Sequence, residues 1–336
     1  MHHDMKRFVR EILKSPRRRA IPIMTSPGID LIGAKPVEVF RDGALQFRCI
    51  QALAGAVHAD ALVTFMDLSV EAEAFGSPVR YSEHENPTVS GSIASTPEAI
   101  DALAVPEVGA KRTAEVLRCA ELCAANLDRP VLGGMIGPFS LAGRLADMTE
   151  IMILCYEEPE MVETVLEKVT AFLCDYAKAF KEAGADGIVM AEPAAGLLSP
   201  GLFRKFSAPY VTQICKAAKE AGLFLIYHNC GMVEPLLEDI ASIPADGYSF
   251  GNAVHMETVL ESMPSDRLVI GNIDPVGILR NGTPETVTKA VTELLESCSK
   301  YPGFLLSSGC DIPPLTPLEN LQAFFDAAEA FYGKNI

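Results

Sequence analysis

Eight short apolar runs, nearly all followed by a stretch of helical pattern, succeed one another along the chain. They are AIPIM (20–24), ALVTFM (61–66), PVLGGMIG (130–137), GIVMAEP (187–193), LFLIYHNC (223–230), GYSFG (247–251), RLVIGNID (267–274) and GFLLSSGC (303–310). Each run has the length of a strand, and strands separated by helices pair in parallel, because a parallel neighbour needs a long crossover. Eight such units close into a barrel; an open doubly wound sheet is the second choice. No G-x-G-x-x-G fingerprint follows the first run, which argues against a dinucleotide fold. The expected fold is therefore α/β, a (β/α)8 TIM barrel forming a single domain over residues 1–336. Extra helices before PVLGG and after MIGPFS decorate it, and residues 1–18 form a short N-terminal surface helix. Helices are expected over about 36–58, 110–126, a long region ending near Gly184, 203–221, and from Thr283 onward.

Composition narrows the function. With 336 residues, 49% of them apolar, the chain can fill one large barrel core. Its net charge of −16 excludes nucleic acid as a partner, since phosphate binding needs a basic surface. The one basic run, Arg17-Arg18-Arg19, reads as a solvated turn before the first strand. The longest apolar runs are strand-sized, so no membrane span is expected, and the N-terminus has no apolar signal core. A cytoplasmic protein is expected. The nine cysteines are odd in number and unevenly spaced, and Cys49, Cys119, Cys123, Cys155, Cys174, Cys215 and Cys298 fall in helical stretches. In a reducing compartment such residues serve as small buried hydrophobes.

Cys230 and Cys310 differ, because they stand where strands run out. So do Asp67, Glu192, His228 and Asp274, and in such barrels the C-terminal strand ends carry the chemistry. His228 and Cys230 lie two residues apart on a strand and so aim to one face. Barrel closure can bring Cys310, at the end of the last strand, to the same mouth. Two thiolates and an imidazole are three good ligands for Zn²⁺, with a fourth position left open for catalysis. Sulfur ligands argue against Mg²⁺ and Ca²⁺. Gly231 and Gly309, beside the cysteines, allow close backbone approach. Such a zinc either holds a thiol as a thiolate, a nucleophile suited to accepting a methyl group, or activates water for hydrolysis. The residues alone leave both open.

AAGLLSPGLFRKFSAPYV (194–211), IGPFSLAGRL (136–145), PPLTPLENLQAFFDAAEAFY (313–332) and FMDLSVEAEAFG (65–76) together resemble the uroporphyrinogen decarboxylase superfamily over nearly the whole chain. That resemblance implies a TIM barrel. The decarboxylase's own substrate arginines, however, fall on Thr25 and Ile29 in MTSPGID, its tyrosine on Arg144 and its late histidine on Cys310. Of its usual set only Asp67 is kept. A porphyrinogen with many carboxylates needs cationic partners. The pattern instead resembles the superfamily's zinc methyltransferases, the methylcobamide:coenzyme M methyltransferases and corrinoid-dependent relatives. These use His-x-Cys and a late Cys to bind zinc, here His228, Cys230 and Cys310.

The resemblance implies an enzyme that moves a methyl group between a methyl-corrinoid (cobalamin) protein and a small acceptor, a thiol first of all. Zinc is the cofactor, and the corrinoid protein is the partner that brings the methyl group. The alternatives are a divergent uroporphyrinogen decarboxylase and a non-enzymatic corrinoid- or zinc-binding protein. Asp67 and Cys310 are the catalytic candidates, Asp67 as the carboxylate that orients a zinc ligand or substrate amine. Met24, Glu192, Asn252, Asp274 and Arg144 are the candidate substrate contacts. Related enzymes often draw a fourth, carboxylate ligand from near the sixth strand, where this chain has Asn252; Glu192, Asp274, His255 or a water could substitute. Glu71 and Glu73, beyond Asp67, are expected to differ in role. The mouth is expected to be broad and lined by small residues, with Met24, Met135 and Met190 giving soft contact.

Overall fold

The computed structural model describes residues 3–83 and 85–333. Nine strands occur among them: β1 Leu62–Val63, β2 Val79–Arg80, β3 Thr88–Val89, β4 Val131–Ile136, β5 Gly187–Ala191, β6 Phe224–Asn229, β7 Gly247–Phe250, β8 Leu268–Ile273 and β9 Phe304–Ser308. Seven of them make one parallel sheet in the order β1-β4-β5-β6-β7-β8-β9. The eighth place is taken by the first apolar run. Its Ala20 bridges to Leu306 on β9, and its carbonyl accepts from the Asp60 amide (2.9 Å) just before β1. The two sheet edges are thus joined through this segment, and the sheet curls into a TIM barrel. The segment is no full strand because Pro22 has no N–H to give to a ladder.

Strand alternation sorts the core into two layers. Ile21, Ile23, Val63, Leu132, Val189, Phe224, Ile226, Leu268, Ile270 and Leu305 pack together, while residues such as Leu225, Tyr227 and Val269 join a second cluster with the surrounding helices. The N-terminal helix, Met5–Lys14, is more than a surface ornament. Its Ile12 is fully buried in the first cluster, and Met5, Phe8, Val9 and Leu13 pack against it. The Arg17–Arg19 run is not a solvated turn either. Arg18 is buried and donates to the Pro302 carbonyl, Arg17 pairs with Glu329, and Arg19 lies 3.5 Å from Glu11.

The expected helices appear with breaks that local chemistry explains. The 36–58 stretch divides into Pro36–Val39 and Gly43–Ala56, where Asp42 caps the second piece by accepting from the Ala44 (2.7 Å) and Leu45 (3.1 Å) amides. The long region before Gly184 is three helices, Pro138–Ala146, Met148–Glu157 and Pro159–Glu182, with Asp147 capping the second and Pro159 opening the third. The antiparallel pair β2–β3 has no counterpart in the sequence reading; its polar residues carry no strand alternation. No helix among the described residues is long and apolar enough to cross a membrane.

Candidate metal centre

On β6 the inward set Phe224 and Ile226 is continued by His228, which is 1% exposed. Cys230 follows one residue beyond the strand, and Asn229 fixes the turn that carries it. Asn229 Oδ1 accepts from the Gly231 amide (2.9 Å), and its Nδ2 donates to the Glu192 carbonyl (2.6 Å) at the end of β5. Gly251, just past β7, makes room: a Cβ there would stand 2.6 Å from Cys230 Cα. Cys310 arrives from β9. One ligand atom from each of His228, Cys230 and Cys310 lies within 4.8 Å of the others.

The imidazole is oriented from behind. His228 pairs with Ser249 across β6 and β7, and His228 Nδ1 lies 3.0 Å from Ser249 Oγ. With Nδ1–H donated to that hydroxyl, Nε2 presents its lone pair. Nε2 is buried and has no hydrogen-bond partner, a state proteins seldom tolerate in a polar atom. An orphaned imidazole nitrogen beside two sulfurs fits a soft divalent ion such as zinc.

The two sulfurs act on each other. A hydrogen bond from Cys310 pulls the Cys230 thiol far below its ordinary value against the opposing effect of burial, with His228 helping. The same contact, together with burial, pushes Cys310 up. Burial without such partners does the reverse, raising Cys49 and Cys215 to about 12. The helical cysteines are mostly buried free thiols, whereas Cys230 and Cys310 are partly open to a cavity.

That cavity measures about 530 Å³ and sits above the barrel interior, with Ile23, Met66 and Ala191 of the inner layer among its walls. The trio, Asp67, Arg144 and Arg280 also line it. Its size suits a small molecule. Residues 85–89, in and before β3, form part of its rim.

Asp67 lies at the mouth but is fully engaged. Its Oδ1 accepts from the Ser69 amide (2.9 Å) and hydroxyl (2.6 Å), and its Oδ2 accepts from Arg112. Arg112 in turn donates to Glu73 (2.6 Å) and to Ser69 Oγ (2.8 Å), and Tyr81 donates to Glu73 (2.9 Å). Glu71 and Glu73, in the helix Val70–Ala74, do differ. Glu71 is buried, accepts from the Ile136 amide (3.1 Å), and is pushed up to about 7 by burial.

Of the candidate substrate contacts, Arg144 alone lines the cavity. Met24 turns outward into the helix-facing cluster, as do Met135 and Met190, because each occupies the outer face of its strand or segment. Glu192 is fully buried and accepts from the Phe139 (2.7 Å) and Ser140 (2.9 Å) amides at the start of the helix Pro138–Ala146. Burial raises it to about 7. Asp274 caps its own turn through the Val276 and Gly277 amides, both at 2.9 Å. Asn252 is exposed and packs on Gly309, and His255 is exposed at a helix start. None of Glu192, Asp274 and His255 joins the trio, which opens instead on the cavity. Sequence reasoning missed Ser249, Arg112, Arg280 and Asp311. Ser249 is the polar residue within the short run GYSFG, and Asp311 adjoins Cys310 and takes hydrogen bonds from Thr25 (3.4 Å) and Ser26 (3.3 Å).

Comparison with known proteins follows the same lines. A family model described as uroporphyrinogen decarboxylase (URO-D) matches residues 17–331. Methylcobamide:CoM methyltransferase MtbA of Methanosarcina acetivorans is 31% identical over 270 residues, spanning 79% of this chain and 78% of that protein. Uroporphyrinogen decarboxylase of Coxiella burnetii is 26% identical over 291 residues, spanning 82% of this chain and 78% of its own. Among solved structures, a methyltransferase from Methanosarcina mazei superposes with a TM-score of 0.88 at 25% identity, covering 97% of this chain and 98% of that one.

Proposed function

The chain belongs to the uroporphyrinogen decarboxylase (URO-D) family, and from that premise we propose that it is a zinc-dependent methyltransferase working between a methyl-corrinoid protein and a small thiol. The observation that carries this reading is the trio His228, Cys230 and Cys310, gathered within 4.8 Å at a small cavity with a buried, unpartnered imidazole nitrogen. The relatives named as methylcobamide:CoM methyltransferases support the corrinoid donor.

His228, Cys230 and Cys310 would hold the zinc. When bound, the metal supplies a Lewis acid that keeps an acceptor thiol deprotonated near neutral pH. The rest is the chain's own work. Ser249 fixes the tilt of His228, Asn229 locks the turn of Cys230, and the apolar inner layer keeps water from below the site. Transfer forms an S–CH₃ bond on the acceptor and breaks the Co–CH₃ bond, whose electron pair stays with cobalt; the acceptor's S–H proton passes to solvent. A cavity of about 530 Å³ suits the acceptor rather than a protein-borne corrin, so the donor must be presented from outside the strand ends. Exposed Leu31, Leu197, Met232, Val276 and Leu315 all lie in segments that follow barrel strands, and they give that face an apolar rim for a docking partner.

The test is spectroscopic. Zinc-loaded protein mixed with methylcobalamin and a panel of thiols is expected to discharge the methyl–cobalt absorbance and yield the methyl thioether. Conversion of uroporphyrinogen to coproporphyrinogen without methyl transfer would overturn the reading in favour of the decarboxylase. Thr25 and Ile29, at the decarboxylase's arginine positions, speak against that outcome.

A further inference from the structure

We propose that Asn272 is a positioning residue for the two sulfurs: its amide pins the loop 251–254, and that loop is the spacer that sets how far apart Cys230 and Cys310 stand. What the spacing serves rests on the zinc reading; the spacing itself rests on contacts within the chain.

Cys230 follows β6 and Cys310 follows β9, with β7 and β8 between them in the sheet. Three strand spacings amount to about 14 Å along a sheet. Yet the ligand atoms of the trio all lie within 4.8 Å of one another. Curling of the sheet shortens the span, but it does not fix where two flexible turns come to rest. The turns that carry the cysteines lean toward each other over the ends of β7 and β8, and what fills the space between them decides their separation.

The loop 251–254, which leaves β7, fills that space. Gly251 bears on Cys230 itself: a Cβ there would stand 2.6 Å from Cys230 Cα and 2.8 Å from its Cβ. The next residue bears on the other turn, since a Cβ on Gly309 would meet the Asn252 nitrogen at 2.7 Å. Two consecutive residues of one loop thus touch one cysteine and the residue before the other. The Gly251 amide also donates to the Asn229 carbonyl (3.2 Å), and the Gly309 amide to the Ile273 carbonyl (2.7 Å). Asn252 and Ala253 are exposed, so the loop is held from beneath. Val254 is buried in the helix-facing cluster, and half-buried Asn272 on β8 does the rest. Its Nδ2 donates to the Gly251 and Val254 carbonyls, both at 2.9 Å, which are the first and last residues of the loop. Both partners are acceptors, so only the NH2 group can serve them; an aspartate of the same shape would set lone pairs against lone pairs.

The experiment reads the spacing without metal and with it. Metal-free, reduced protein is titrated with phenylarsine oxide, which joins a close thiol pair: two As–S bonds form, and the two thiol protons leave with the arsenical oxygen as water. The wild-type protein is expected to take up one equivalent and C310A to lose it, which assigns the reagent to Cys230 and Cys310. N272A and N272D are each expected to weaken this binding by roughly tenfold, the cost of a pair no longer held in place. Zinc affinity, measured by chelator competition, is expected to fall by about 10–100-fold in the same variants, with circular dichroism unchanged. Wild-type affinities in N272D overturn the proposal, because that variant keeps the shape and removes only the donors. Should both Asn272 variants fail to fold, G309A carries the test. It presses the spacer from the other side, and wild-type affinity for both probes in G309A overturns the proposal equally. So does a wild-type protein that does not bind the arsenical at all. If the arsenical binds in the expected Asn272-dependent way and no zinc is taken up, the zinc reading fails and the spacer stands. If zinc binds equally well to every folded variant, the zinc reading stands and the spacer fails.

Discussion

On the β1 side of the barrel mouth both oxygens of Asp67 are taken, by Ser69 and by Arg112, and Arg112 is itself shared with Glu73. On the β6–β9 side the buried Nε2 of His228 has no partner, and the sulfurs of Cys230 and Cys310 stand beside it, its ligand atom and theirs all within 4.8 Å of one another. Both clusters sit at strand ends and line one cavity. A saturated cluster has already spent its bonding capacity and serves to hold β1, its following helix and the start of Thr113–Asn126 together. An unsaturated one keeps capacity in reserve for something that arrives later. Position at a strand end marks both; only the census of partners separates them.

The sharpest way to break this contrast is to remove a sulfur. C310A is expected to lower bound zinc from about one per chain to a small fraction and to abolish transfer, measured by metal analysis and methylcobalamin discharge. Retained stoichiometric zinc would place the metal elsewhere. Next comes the saturated side. R112A leaves Asp67 buried without its counter-ion and is expected to cost about 3–5 kcal/mol of stability in denaturant unfolding, with zinc content kept. A loss of zinc without a loss of stability would erase the division of labour. S249A removes the group behind His228 Nδ1 and is expected to reduce zinc affinity by about 10–100-fold in chelator competition, leaving the fold intact. The smallest effect concerns Glu192. Burial raises its folded value to about 7, above the unfolded value near 4.5. Between those values the folded chain keeps a proton that the unfolded chain gives up, so stability falls as pH rises through that window. E192Q is expected to flatten that decline by on the order of 1 kcal/mol, read from unfolding curves at pH 5 and pH 8. An unchanged slope would mean that Glu192 is ionised throughout.

The barrel was legible because its signal repeats. Each of the eight apolar runs has its place at the barrel wall, and the weakest, AIPIM, was misjudged only in that Pro22 cannot complete a ladder. The trio was legible as positions, since two-residue spacing and strand ends place side chains without knowledge of partners. What the sequence could not carry is who pairs with whom across distant segments. Asp67 looks free along the chain because Arg112 is far from it in sequence, and Glu192 looks like a mouth carboxylate because the amides of Phe139 and Ser140 belong to another crossover. Ser249 falls in the same class, since its role depends on the register of β6 against β7. Met24 failed for a different reason: a one-residue change of face turns a cavity wall into a helix contact.

The helix Met5–Lys14, packed with the apolar inner layer of the barrel, makes the cavity a blind alley. Nothing enters or leaves from below. A corrinoid protein seated over the whole rim, as proposed, would cover the way in for a thiol as well. Under that seating the acceptor would load first, and its methylated form would depart after the donor protein had lifted away. Excess donor protein would then inhibit, by stopping the door of empty enzyme. Raising the thiol concentration would relieve that block, an order of arrival that would follow from one short helix at the far end from the chemistry.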